Sequence, residues 1–440
     1  FFYSAKQTTR INSLLLTPQI TMKRPTATCL ASLVTALALC VPQSALAFVP
    51  QAGTIAAGSQ SPLLTPFSLT LRSTAEEAGT ESKAEAGSDA HTKTAELGLV
   101  TFDLDDTLYP VTVVIEEANN AFANAMHKFG YDGIQPSDID ETGKQIREEM
   151  AQTDPEKAAA LSHTELRLLA IRRQMESIRL LRSLEEVAKD WATAVSDLTP
   201  VVVENCKTFA KKEVSSSVVQ AVYNAWEMER HHSAERHLYP EVIDVLQQIK
   251  EEHPNLIIGA VTDGKANPML MTFTLAPYFD FCLSWEDDQA GRTQFFKELK
   301  STGSDAELKW IYEAARDKYK ALAETRGTLK KDRGAVSASS IDEKLWIHVG
   351  DDLAYDVGGA SACGAKTVLM ELADKYGQTA RLRFDNMNKL PAWSVTTKAE
   401  LEKRKIMNLA AEQHLDARVS FMSRLPEAIN DILEASADDE

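Results

Sequence analysis

Residues 97–110 read Leu-Gly-Leu-Val-Thr-Phe-Asp-Leu-Asp-Asp-Thr-Leu-Tyr-Pro. A short, mostly apolar run of this kind is the signature of a strand buried on both faces. Here it stops abruptly at aspartates. If the chain stays extended past Phe102, Asp103 and Asp105 point the same way. Two carboxylates on one side repel each other, so they call for a cation or a shared proton. Taken alone, the acidic cluster also suits a helix start or a calcium-binding type of loop.

Working outward, the same strand-then-polar pattern recurs. Leu256–Val261 runs straight into Thr262-Asp263-Gly264, and Lys344–Val349 into Gly350-Asp351-Asp352. Phe281–Leu283 and Ala365–Met370 add two further apolar runs. Between them the apolar residues fall at helical spacing. Examples are Val114, Ile115, Ala118, Phe122 and Met126, and Val242, Val245, Leu246 and Ile249 in a helix that Tyr239-Pro240 is expected to open. Strands alternating with helices predict an α/β fold, a Rossmann-like parallel sheet with helices on both faces. In such sheets ligands bind beyond the carboxyl ends of the strands, where these acidic and hydroxylated residues lie. Residues 111–237 are too many for a crossover connection and are expected to form an inserted α-helical cap on a core of residues 96–110 and 238–440. No internal repeat is present.

The chain has 440 residues, 44% of them hydrophobic and 25% charged, the balance of a globular protein with one large or two ordinary domains. Its formal net charge of -17 argues against general affinity for nucleic acid or for an anionic membrane. It leaves room for a phosphorylated substrate, because a bound cation can reverse the local sign of a site. Of the five cysteines, Cys29 and Cys40 lie near the N-terminus. Cys206, Cys282 and Cys363 match no metal or disulfide spacing, which points to idle thiols and a reducing compartment.

Residues 1–21 read as an upstream extension. From Met22, Lys23 and Arg24 form a positive segment, Cys29–Val41 an apolar one, and Ala45-Leu46-Ala47 a small-x-small cleavage site, so residues 22–47 read as a signal peptide. The apolar run is shorter than the ~20 residues a membrane span needs, and no stable membrane association of the mature protein is expected. Phe48 follows the expected cut, and residues 51–75 are hydroxylated and free of acidic residues. Residues 48–95 therefore read as a transit-peptide-like segment and linker. The pair resembles the bipartite plastid presequence of algae with secondary plastids; the alternative is a secreted protein, which the lack of paired cysteines disfavours.

Asp103-Leu104-Asp105-Asp106-Thr107-Leu108 after an apolar strand resembles the first motif of the haloacid dehalogenase superfamily. Val261-Thr262-Asp263-Gly264 is similar to its second motif, and Val349-Gly350-Asp351-Asp352 with Asp356 to its fourth, in family order. The resemblance implies a magnesium-dependent phosphatase acting on a small phosphate monoester, such as a sugar phosphate or a nucleotide or cofactor monophosphate. Asp103 would be the nucleophile that becomes an aspartyl phosphate, and Asp105 the acid and base. Phosphatases and phosphomutases of the superfamily keep a carboxylate at that second position, whereas its dehalogenases lack one. Thr262 would hold phosphate oxygens together with the backbone N–H groups of Asp263 and Gly264; read alone, Thr262 is a helix cap. Asp103, the Asp105 backbone carbonyl and Asp351 would hold Mg2+, with Asp352 and Asp356 behind them and Asp106 structural.

The third motif departs from the pattern. No Lys-Pro stands between Thr262 and Asp351, and Lys300 is the expected stand-in, with Lys297 and Lys309 nearby. Arg167, Arg172, Arg173, His231 and His232 in the expected cap suit either an anionic substrate or a solvated face. A phosphomutase, or a binding or assembly protein that has lost turnover, are the competing readings.

Overall fold

The structure, a computed structural model, describes residues 96–286, 309–331, 344–379, 390–396 and 398–438. The leader and Lys300 lie outside them. The described residues belong to one unit, His91–Glu440. Six strands form a single sheet: β1 Leu97–Phe102, β2 Ile257–Thr262, β3 Phe281–Ser284, β4 Leu345–Gly350, β5 Lys366–Met370 and β6 Ala417–Val419. All pairings are parallel and the spatial order is β3-β2-β1-β4-β5-β6. The sheet is the expected α/β architecture, except that β6 escaped the sequence reading because three residues carry too little apolar pattern.

Why the strands are mostly apolar is visible in the packing. Alternate residues enter opposite layers. Val100, Phe102, Ile258, Ala260, Ile347 and Val349 join one cluster, while Leu99, Ile257, Val261 and Trp346 join another on the opposite face. The α-helices among the described residues are α1 Val111–Lys128, α2 Asp138–Thr153, α3 Pro155–Ala160, α4 His163–Asp190, α5 Pro200–Glu213, α6 Ser216–Arg236, α7 Val242–Glu252, α8 Lys309–Lys331, α9 Gly358–Ser361, α10 Lys398–Ala411 and α11 Leu425–Asp438. Helices α7 and α11 cover the first face through Val245, Leu246, Ile249, Ile429 and Ile432. The second is covered by α8 and the segment around α9, through Ile311, Ala315, Tyr319 and Ala360.

Helices α1 to α6 all fall between β1 and β2, and they bury an apolar cluster of their own. Phe122, Met126, Ile171, Met175, Val222 and Trp226 are its centre, drawn from α1, α4 and α6. A buried polar brace ties this layer together: Trp226 Nε1 donates to Asn119 Oδ1 (2.9 Å) and Asn119 Nδ2 to Asp140 Oδ2 (2.6 Å). The helix expected from Val242 to Ile249 is α7, which starts at Val242 after Glu241 and runs on to Glu252; before it, the Tyr239 N–H donates to Leu108 O (3.0 Å), tying the chain back to the end of β1. No helix among the described residues is long and apolar enough to cross a membrane.

Candidate active site

Because β1 lies between β2 and β4 with all three parallel, Asp103, Thr262 and Asp351 emerge at one edge of the sheet, next to one another. Asp103 follows β1 directly, and its N–H still donates to Val349 O at 2.8 Å. The chain then turns. Asp106 takes a left-handed backbone (φ 61°), a conformation that aspartate tolerates better than most side chains. Its carboxylate accepts from Val111 N (3.0 Å) and from Thr379 Oγ1. Asp106 thus satisfies the first amide of α1, which Pro110 leaves without a side-chain cap.

Asp103, Asp351 and Asp356 bring carboxylate oxygens within 4.8 Å of one another. Asp103 is buried, and burial together with Asp356, Asp351, Asp263 and Asp105 pushes its pKa well above the usual carboxylate range. Such a cluster is stable as a set of anions only with a positive partner. The donors are all oxygens, the set a hard divalent cation takes. Asp356 is already committed: its Oδ1 accepts from Tyr312 Oη (3.1 Å) and from His348 Nε2 (3.2 Å), and its Oδ2 from Asp352 N (2.9 Å). His348 is held in turn by Thr101 Oγ1 at 2.8 Å, which also accepts from Trp346 Nε1 at 2.9 Å. A buried polar chain thus runs through the sheet to this carboxylate. Gly350 makes room for it: a Cβ there would overlap the Asp356 carboxylate and stand 2.5 Å from its Cβ.

Asp352 turns the other way. Its Oδ1 accepts from Ala354 N (2.9 Å) and Tyr355 N (3.2 Å), starting the single π-turn Leu353–Val357, and its Oδ2 pairs with Arg404. Arg404 comes from α10 and lies over the Tyr355 ring, 4.1 Å from its centroid. Burial lowers its pKa, while Asp263 and Asp351 support its charge. Thr262 is buried, and its Oγ1 accepts from Gly264 N at 3.3 Å. Asp105 is not one of the three clustered carboxylates. Its Oδ2 instead accepts from Arg230 Nη2 of α6 at 2.5 Å.

These groups line a cavity of about 320 Å³, the lower end of the range for small-molecule sites. Arg167 also lines it, with its guanidinium 4.0 Å from the Trp226 ring centroid. The other expected contacts do not reach it. Arg172 donates to Ser216 Oγ (2.8 Å) and Arg173 pairs with Glu149 (2.8 Å), both toward solvent. His231 is buried against Glu227 O and Asn267 N, and His232 is exposed. Lys297 and Lys300, and the Lys309 side chain, lie outside what the structure describes. Arg230 and Arg404 are the functional candidates that sequence reading missed. Neither stands in a motif, and only the fold brings them to the sheet edge. Cys206, Cys282 and Cys363 form no disulfide among the described residues.

No family model and no curated protein matches the chain. Solved structures do. A 2-haloacid dehalogenase from Pseudomonas syringae pv. Tomato DC3000 overlaps with TM-score 0.36 and 18% identity, over 76% of this chain and 98% of that one. A HAD phosphatase from Thermococcus onnurineus overlaps with TM-score 0.29 and 14% identity, over 76% and 98%. A HAD-hydrolase from Bacillus subtilis, bound to magnesium, gives 0.26 and 13%, over 62% and 89%. Overlaps of this extent assign neither activity nor substrate to the chain.

Proposed function

We propose that the chain is a magnesium-dependent phosphohydrolase on the haloacid dehalogenase plan, cleaving a small phosphate monoester through an aspartyl phosphate on Asp103. The observation that carries the reading is the pairing of two unlike aspartates at the end of β1. Asp103 stands in an all-oxygen cluster with Asp351 and Asp356, and Asp105 stands outside it on a guanidinium. Environments that differ in this way set a nucleophile apart from a proton carrier.

The donor set fits Mg2+, with Asp103 and Asp351 as side-chain ligands and Asp356 held back by its three donors; the ion would neutralise the clustered charge and the phosphoryl oxygens. An Asp103 oxygen attacks phosphorus, the ester P–O bond breaks, and Asp105 gives its proton to the leaving oxygen. Asp105 then takes a proton from water as that water attacks phosphorus, releasing inorganic phosphate and restoring the Asp103 carboxylate. The Thr262 hydroxyl and the amides that follow it would steady the phosphoryl oxygens. Helices α1 to α6 would act as the cap that shields this chemistry from water.

Hydrolysis of p-nitrophenyl phosphate with Mg2+ tests the proposal. Turnover by the wild type, lost in Asp103→Asn, is the expected result. Equal turnover by both proteins would place the nucleophile elsewhere.

A further inference from the structure

Arg230 reaches the floor of the cavity from α6, 125 residues along the chain from its partner Asp105. It is 2% exposed. One Nη donates to Asp105 Oδ2, yet the other, Nη1, is buried with no hydrogen-bond partner among the described residues, and so is Asp105 Oδ1. The β2 loop backs the pair closely. A Cβ on Gly264 would stand 2.9 Å from Arg230 Nη2 and 3.0 Å from Asp105 Oδ2. The Thr262–Gly264 turn that follows β2 therefore lies against both members of the pair.

Burying a guanidinium with an unused donor is costly, and one carboxylate oxygen at 2.5 Å satisfies only part of the fork. The planar pair of Nη groups matches two oxygens of a tetrahedral dianion better than one oxygen of a carboxylate. We propose that Arg230 is a phosphoryl-binding residue: terminal oxygens of a phosphate ester take its guanidinium in place of Asp105 Oδ2. That the bound group is a phosphate ester rests on the hydrolase reading above. No bond other than hydrogen bonds is made or broken in the exchange.

The test is calorimetric titration of inorganic phosphate in the presence of Mg2+ into wild type, Arg230→Met and Arg230→Lys, each checked by circular dichroism. It is run alongside p-nitrophenyl phosphate kinetics. Arg230→Met should bind phosphate about 10- to 100-fold more weakly, the loss of a charge-assisted bond, and raise KM by a similar factor. Arg230→Lys keeps the charge without the fork and should fall between. Should Arg230→Met fail to fold, the lysine variant decides, with at least about fivefold weaker phosphate binding expected. Added guanidinium should restore part of the affinity in Arg230→Ala, which a purely structural role would not allow. Phosphate affinity within twofold of wild type in the folded variants overturns the inference even if the protein is an active hydrolase. A wild type that binds phosphate through Arg230 but turns over no ester overturns the hydrolase reading instead.

Discussion

Gly350→Ala adds one methyl group at the end of β4, and the structure says where its cost falls. The new carbon would stand 2.5 Å from Asp356 Cβ and overlap the carboxylate itself. Carbon atoms in contact prefer about 3.5–4.0 Å, so Asp356 or the β4 end must retreat by roughly 1 Å. Three hydrogen bonds of 2.9, 3.1 and 3.2 Å converge on that carboxylate, and a displacement of this size breaks or lengthens all of them. Bonds to a charged group contribute about 1.5–3 kcal/mol each. If one re-forms after relaxation, the loss is about 3–6 kcal/mol, at the upper end for a single substitution.

Urea denaturation of wild type and variant would measure it, as a lower midpoint at unchanged slope. Mg2+ should raise the Tm of the wild type and raise that of the variant less, because Asp356 no longer braces the cluster. A double-mutant cycle with Asp356→Gly locates the strain. If the clash is with Asp356, the two substitutions should be strongly non-additive. A Gly350→Ala protein within about 0.5 kcal/mol of wild type, with its magnesium response intact, would refute the reasoning. The glycine would then not be there to make space.

Four further outcomes are expected. On incubation with an activated aryl phosphate, Asp105→Asn should gain the mass of one phosphoryl group, because the base that clears the intermediate is gone, and Asp103→Asn should gain none. Chelation should abolish turnover and Mg2+ restore it, with Ca2+ a poor substitute because it prefers more ligands at longer distance; full activity in excess chelator would remove the metal from the scheme. Burial raises the pKa of Asp140 from 3.8 to about 6, so the folded state holds its proton to higher pH than the unfolded chain. Stability should therefore be higher near pH 4 and fall by up to ~3 kcal/mol as pH rises to about 6, and chemical denaturation of Asp140→Asn should lack that component of the slope. A fluorescent fusion of residues 22–95 should label plastids and be diverted by Phe48→Ala; labelling confined to the secretory pathway would end the plastid reading.

Sheet and site differ in how far a linear reading reaches them, and the difference is physical. The five strands with four or more residues are mostly apolar because both faces of the sheet are covered, so each announces itself locally. The turn residues that follow β1, β2 and β4 are adjacent in space because those strands are neighbours, which is why strand ends could be read as one edge. β6 is only three residues, Ala417–Val419, and its pairing with β5 depends on α10 and the chain after it returning to the sheet. No local pattern records that return.

The cations are hidden for a related reason. A carboxylate cluster built by motifs must be balanced, but Coulomb attraction does not require the balancing charge to lie nearby in the chain. Arg230 arrives on α6 and Arg404 on α10, and each sits in a helix whose charges read as a solvated surface until the fold is known. What sets Arg230 apart from Arg172, Arg173 and His232 is burial beside an acid, a property of three-dimensional position alone. A buried arginine must find an anion. In this protein it has found the aspartate two residues beyond the proposed nucleophile, so the layer of helices between β1 and β2 is tied by charge to the chemistry at the end of β1.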